Sequence, residues 1–281
     1  MPVYDRSYRR YQARAPLRSV RFWPITREAL RLILARRAFL LLLMGAWLPF
    51  LGHAAFIYGV TQFPDVGRVA PIDGRLFLQL FEFQKYAVIV VTIFAGAGLV
   101  STDLRTGAIL VYLSRPLTRR DYVVGKLCVL LALNLSVTLG PGLMLYAVGA
   151  GLAPDQLLKP ELAWLAPGAA LHAVLLSVVY SLVGLAISAL SRSARVAGLA
   201  FFALISGLEL TRLVLSVAFE VPAAALLSLQ ADLRLVGQAL LGVAPSAREV
   251  GLWAAALLLA AVCAGSLVVI RGRVRAVEVV R

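Results

Sequence analysis

The sequence predicts an all-α integral membrane protein with six transmembrane helices. It adds an N-terminal amphipathic elbow helix, a cytoplasmic helix between spans two and three, and short outer helices between spans five and six. Three observations lead there. Of 281 residues, 61% are hydrophobic and 15% charged, whereas a soluble domain carries about 45–50% apolar and about 25% charged residues. The apolar residues gather into runs of about 20, the length an α-helix needs to cross the hydrocarbon core. Those runs lack the alternating pattern of barrel strands, and a lipid-facing backbone must satisfy its own hydrogen bonds, which leaves helices. Two cysteines cannot build a disulfide scaffold.

The spans are predicted at Ala38–Val60, Phe77–Val100, Leu127–Leu152, Ala169–Leu190, Val196–Phe219 and Val250–Ile270. In the second, Glu82 and Lys85 are three apart on one helical face and able to pair. Charge then orients the set. Residues 1–37 hold ten arginines, Ser101–Lys126 five bases, Ser191–Arg195 two and Arg271–Arg281 four, while the opposite loops hold six bases and eight acids. By the positive-inside rule both termini are cytoplasmic, as an even number of spans also requires. The net charge of +14 is therefore chiefly topological; it favours anionic membrane lipids and calls for no nucleic acid.

The segments outside the spans follow in order. Residues 1–24 read as a basic cytoplasmic tail, and an Arg-rich lead before a full-length span is not the pattern of a cleavable signal peptide. Residues 25–37 place Leu30, Ile33 and Leu34 on one face and Arg27, Arg31 and Arg36 elsewhere, as in a helix lying in the headgroup plane. The plainer alternative is an extension of span one by snorkelling arginines. Residues 38–270 form the six-span domain, and 271–281 a second basic tail. The thirty residues Glu220–Glu249 are too apolar for a structureless loop and suit short helices dipping into the outer leaflet or capping the outer mouth.

The link between spans two and three reads STDLRTGAILVYLSRPLTRRDYVVGK. Leu104, Ala108 and Tyr112, with Leu110, Val111 and Leu113, give one amphipathic helix that Pro116 ends, because the residue before proline avoids the α region. A short helix of apolar knobs braced by arginines suits a groove on a soluble partner.

The pattern Asp103, Gly107-Ala108, Leu110 to Leu113, Pro116, Thr118-Arg119 and Gly125-Lys126 resembles that of ABC-2-type permeases, the membrane subunits of bacterial ABC exporters. Two positions depart from the usual pattern: Asp103 stands for Glu, and Ala108 for Thr. The resemblance implies a coupling helix over Leu104 to Ser114, seated in the cleft of an ATPase subunit. It assigns ATPase coupling to Asp103, Leu104, Arg105, Gly107, Leu110, Val111, Tyr112, Leu113, Pro116, Arg119 and Lys126. It further implies two ABC ATPase subunits per complex, a second permease subunit (the same or related), and the bacterial inner membrane. The chain holds no G-x-x-x-x-G-K-[ST] phosphate loop, so ATP and Mg belong to the partner ATPase and no cofactor is expected on this chain.

Other residues admit two readings each. Glu209 and Arg212 lie in span five, three apart, as a translocation-path pair or a structural one. Asn134, Ser136 and Thr138, beside Gly140-Pro141-Gly142, suit a polar kinked lining or helix packing. His53 and His172 read as interhelical hydrogen-bonding groups ahead of metal ligands or pH sensors. Catalytic motifs such as H-E-x-x-H and G-x-S-x-G are absent from the sequence, and no enzyme activity is expected of the chain itself. The alternative to an exporter subunit is a membrane anchor that recruits cytoplasmic machinery through the same helix. An ion-coupled transporter ranks last, since no matched pair of broken spans occurs.

Overall fold

The structure, a computed structural model, describes residues 22–63, 72–108, 117–157, 159, 162, 164–219, 226–244 and 251–274. These are almost wholly helical, with no strand among them, and six helical stretches are long and apolar enough to cross a membrane. The chain is an all-α integral membrane protein. Its helices are α1 (Trp23–Leu34), α2 (Arg37–Gly45), α3 (Leu48–Gln62), α4 (Gly74–Val91), α5 (Ala97–Thr106), α6 (Arg119–Leu152), α7 (Pro154–Leu157), α8 (Leu165–Leu190), α9 (Ala194–Ala218), α10 (Leu229–Leu241) and α11 (Leu252–Arg273).

Span one comprises α2 and α3. The chain turns at Ala46 and Trp47, and Pro49 sits in the first turn of α3, where its missing N–H costs no hydrogen bond. Span two comprises α4 and α5 joined by a single π turn at Thr92–Gly96, a feature that places one extra residue in the turn and often marks a functional site. Where the π turn hands over to α5, the buried Ser188 hydroxyl of α8 donates to Ala97 O (2.8 Å) and accepts from the Val100 and Ser101 N–H groups (3.1 Å each). Span three is α6, which runs unbroken through Pro141. Spans four, five and six are α8, α9 and α11.

Burial orders the spans. In span four 72% of the apolar stretch is buried, against 17% in each of spans one and five, so α8 is the central post and α9 lies at the periphery. Three apolar layers stack along the bundle. One unites Phe39, Leu99, Tyr122, Leu185 and Ile270, gathering the ends that carry Arg36, Arg105, Arg119 and Arg271. The opposite layer unites Phe50, Phe77, Leu145, Leu165 and Leu241. The third, between them, centres on Tyr180 and Phe201. Asn134 spans the interior from α6, its amide donating to Thr92 Oγ1 (3.3 Å) and Ser181 Oγ (3.0 Å), while Thr138 meets Ser177 (3.1 Å). These buried groups are interhelical packing contacts, as such side chains commonly are in membranes.

The segment between spans five and six contains α10, which does not cross the bundle. Its N-cap Ser228 donates a hydrogen bond to Glu209 Oε2 of α9. Glu209 lies nine residues before the end of α9, about 13 Å below it at 1.5 Å per residue. The other end of α10 rests on Gly74 and Gly168, at the starts of spans two and four. Helix α10 therefore climbs from the bundle interior to the end opposite the arginines. At Gly168 a Cβ would stand 2.3 Å from Leu240 O. Gly168→Ala is expected to displace α10 and lower stability by about 1–3 kcal/mol, the range for overpacking, as a reduced thermal midpoint in detergent.

Candidate functional site

The segment singled out by sequence lies between two sharply defined helix ends. Helix α5 continues span two through Leu104 and Arg105 and stops at Gly107, whose φ of +70° is left-handed. That conformation suits glycine because an L side chain there meets its own carbonyl. Leu104 and Arg105 thus belong to the last turn of the span, and the break at Gly107 separates them from the residues that follow. On the far side, Thr118 begins α6 with a capping box: its hydroxyl accepts from the Asp121 N–H, and the Asp121 carboxylate accepts from the Thr118 N–H. Two otherwise orphaned donors are satisfied reciprocally, and Arg119 follows as the first helical residue, exposed. Leu110, Val111, Tyr112, Leu113 and Pro116 lie outside the described residues.

Asp103 and Lys126 meet directly. Lys126 Nζ stands 2.8 Å from Asp103 Oδ2, and the Tyr122 hydroxyl donates to the same oxygen at 2.8 Å. Tyr122 and Lys126 are one turn apart on α6, and the ammonium lies 5.6 Å from the phenol ring centroid. The side chains of Lys126 and Asp103 are only 7% and 15% exposed. Two charges so far from water are tolerable only when paired and hydrogen-bonded. The clasp holds the end of span two to the start of span three, immediately flanking the link. Nineteen residues separate Asp103 from Tyr122, and this partner was not evident in sequence; its one legible signal is the i,i+4 spacing from Lys126.

Gly125 has a structural reason beside this clasp. The Thr26 hydroxyl of α1 donates to Gly125 O at 3.0 Å, and a Cβ at Gly125 would lie 3.2 Å from Ile25 Cβ. Helix α1 therefore seats on α6 one residue from Lys126, burying Ile25 and Thr26. Glycine gives the backbones room to approach.

A second charged cluster sits deeper. Glu209 takes a forked contact from Arg212, with Nη2 at 2.5 Å and Nε at 3.1 and 3.2 Å, and accepts the Ser228 hydroxyl. Lys85 pairs with Glu82 at 2.5 Å. Both pairs, with Asp232 and Arg234, line a cavity of about 130 Å³ where α4, α9 and α10 meet. The pair is thus part of a polar junction rather than an isolated contact within span five. Asp232 is 1% exposed, and its Oδ2 has no hydrogen-bond partner among the described residues. Burial pushes its carboxyl up to about 7. His172 of α8 is buried against Phe81 and beneath Gly237 of α10. His53 meets Pro49 O within its own helix. Among the described residues no group of three or more metal-ligating side chains occurs.

Two outcomes follow. Asp103→Asn or Lys126→Met alone is expected to cost about 3–5 kcal/mol by leaving a buried charge unpaired, whereas the double variant recovers most of it; a double-mutant cycle by thermal denaturation reads both. The second concerns pH. The Asp232 carboxyl ionises near 4 when unfolded but keeps its proton to about 7 in the fold. Raising the pH through that window therefore favours unfolding. Asp232→Asn is expected to remove this contribution and to exceed the wild-type melting temperature above pH 7.

Residues 55–235, more than half the chain, match the family model described as ABC-2 family transporter protein. No curated protein matches the chain. The match contains spans two to five, the clasp, the Gly107 break and the Glu209–Arg212 pair. The chain belongs to the ABC-2 transporter family.

Proposed function

We propose that this chain is the permease subunit of an ATP-driven exporter in the bacterial inner membrane, with both termini in the cytoplasm. ATP and Mg stay on a separate ABC ATPase, two copies of which serve each complex. A second permease subunit, the same or related, completes the path. The observation that carries the reading is the clasp. The link between spans two and three leaves from helix ends bound to each other through Asp103, Tyr122 and Lys126.

The mechanics follow from that bond. ATP binding draws the two ATPase subunits together, and the helix of Leu110 to Leu113, docked in an ATPase cleft, moves with its host. Because Asp103 ties both flanking helices, a push on the link reaches spans two and three together. Ser188 carries it from span two to the central span four. Packed interfaces respond by switching between discrete arrangements, and hydrolysis resets them.

The test is association with an ABC ATPase subunit co-expressed with the chain. Leu110→Asp with Tyr112→Asp should abolish co-purification while the permease keeps its wild-type melting temperature. Undiminished co-purification, or labelling of a Tyr112→Cys variant from outside intact cells, would overturn the proposal. An anchor without transport would hold the ATPase equally well, but ATP turnover in vesicles would not respond to any cargo.

A further inference from the structure

A groove of about 790 Å³ opens at the Arg-rich end between α1, the π turn of span two and α9. Its size lies within the roughly 300–1,000 Å³ of small-molecule sites. The walls are Ile33, Ile93, Phe94, Leu199 and Phe202, and the polar exceptions are Arg36, Thr102, Arg195 and the Asp103–Lys126 pair. The π turn contributes to this shape, for both Ile93 and Phe94 belong to it. Phe94 and Leu199 are 68% and 70% exposed, so the wall faces outward from the bundle. Arg36 and Arg195 are exposed as well, and no carboxylate pairs with either among the described residues. Beyond Arg195 a smaller hollow adds Arg105 to the same rim.

We propose that this groove binds one anionic phospholipid from the leaflet on the Arg-rich side, its acyl chain along Phe94 and Phe202 and its phosphate between Arg36 and Arg195. Charge complementarity selects this occupant. Guanidinium groups match phosphate with paired donors, and a rim of unpaired arginines above an apolar trough is complementary to an anionic amphiphile. Residues 1–21 of the chain hold six arginines and repel the rim. A second copy meeting this one two-fold through the same face would bring two such arginine rims into one interface, where like charges repel. The lipid's headgroup would lie beside the Asp103–Lys126 clasp. This inference stands without the ATPase, and its test contains none.

The experiment uses the delipidated full chain in detergent. It is titrated with phosphatidylglycerol or with phosphatidylcholine of identical acyl chains, and bound lipid is counted by native mass spectrometry. Each arginine near the surface contributes about fivefold, so one phosphatidylglycerol should bind about twenty- to thirtyfold more tightly than phosphatidylcholine. That preference should shrink as salt rises. Arg36→Gln with Arg195→Gln should abolish the preference at an unchanged melting temperature. Ala194→Trp, which fills the groove without removing an arginine, should weaken both lipids. Equal retention of the two lipids, or full phosphatidylglycerol preference in the double Gln variant, overturns the proposal. Efficient displacement by soluble glycerol phosphate does so too, because it would make the headgroup alone the ligand. A Leu199→Cys variant that cross-links in high yield between copies would assign the groove to a second subunit instead.

Discussion

The Asp103 carboxylate governs this architecture at the Arg-rich end. A carboxylate and an ammonium withdrawn from water are each costly, and their attraction offsets that cost only with close contact and an extra donor. Both conditions are met on one oxygen, where Lys126 Nζ and the Tyr122 hydroxyl converge at 2.8 Å. The clasp therefore fixes the register of two spans against each other. Neither helix can turn or slide there without stranding a charge. Gly125, one residue from Lys126, adds α1 to the same point.

Around that point the bundle grades from a stiff centre to an open edge. Helix α8 is largely enclosed, whereas α9 and the first span keep most of their surface outside. The polar groups of the interior are short and mutually bonded: Asn134 reaches Thr92 and Ser181, and Ser188 gathers three backbone groups of span two. In a medium without water such contacts specify which helices are neighbours. This distribution sets a firm, enclosed centre against an exposed edge.

Much of this was legible from the chain. The six spans follow from hydropathy because helices are the only long structures a bilayer tolerates without closure into a barrel. The Glu82–Lys85 and Glu209–Arg212 pairs follow from spacing alone, since three residues bring side chains onto one helical face. Other features depended on distant partners. Ser228, nineteen residues beyond Glu209, gives no local sign of reaching it, and no periodicity marks the π turn at Thr92–Gly96. Leu104 and Arg105 read as part of the amphipathic link because apolar and basic residues continue across it. The left-handed Gly107, which ends the span after them, is a backbone property that hydropathy does not carry.

The placement of α10 has a further consequence. Its lower end is fastened to the middle of span five by Ser228 and Glu209, and its upper end leans on the glycines that open spans two and four. One short rod thus bridges a peripheral helix of the bundle and its most buried one. A tilt of span five would tug the rod's foot while its head stays propped, so a hinge at one edge would become a lever at the far mouth.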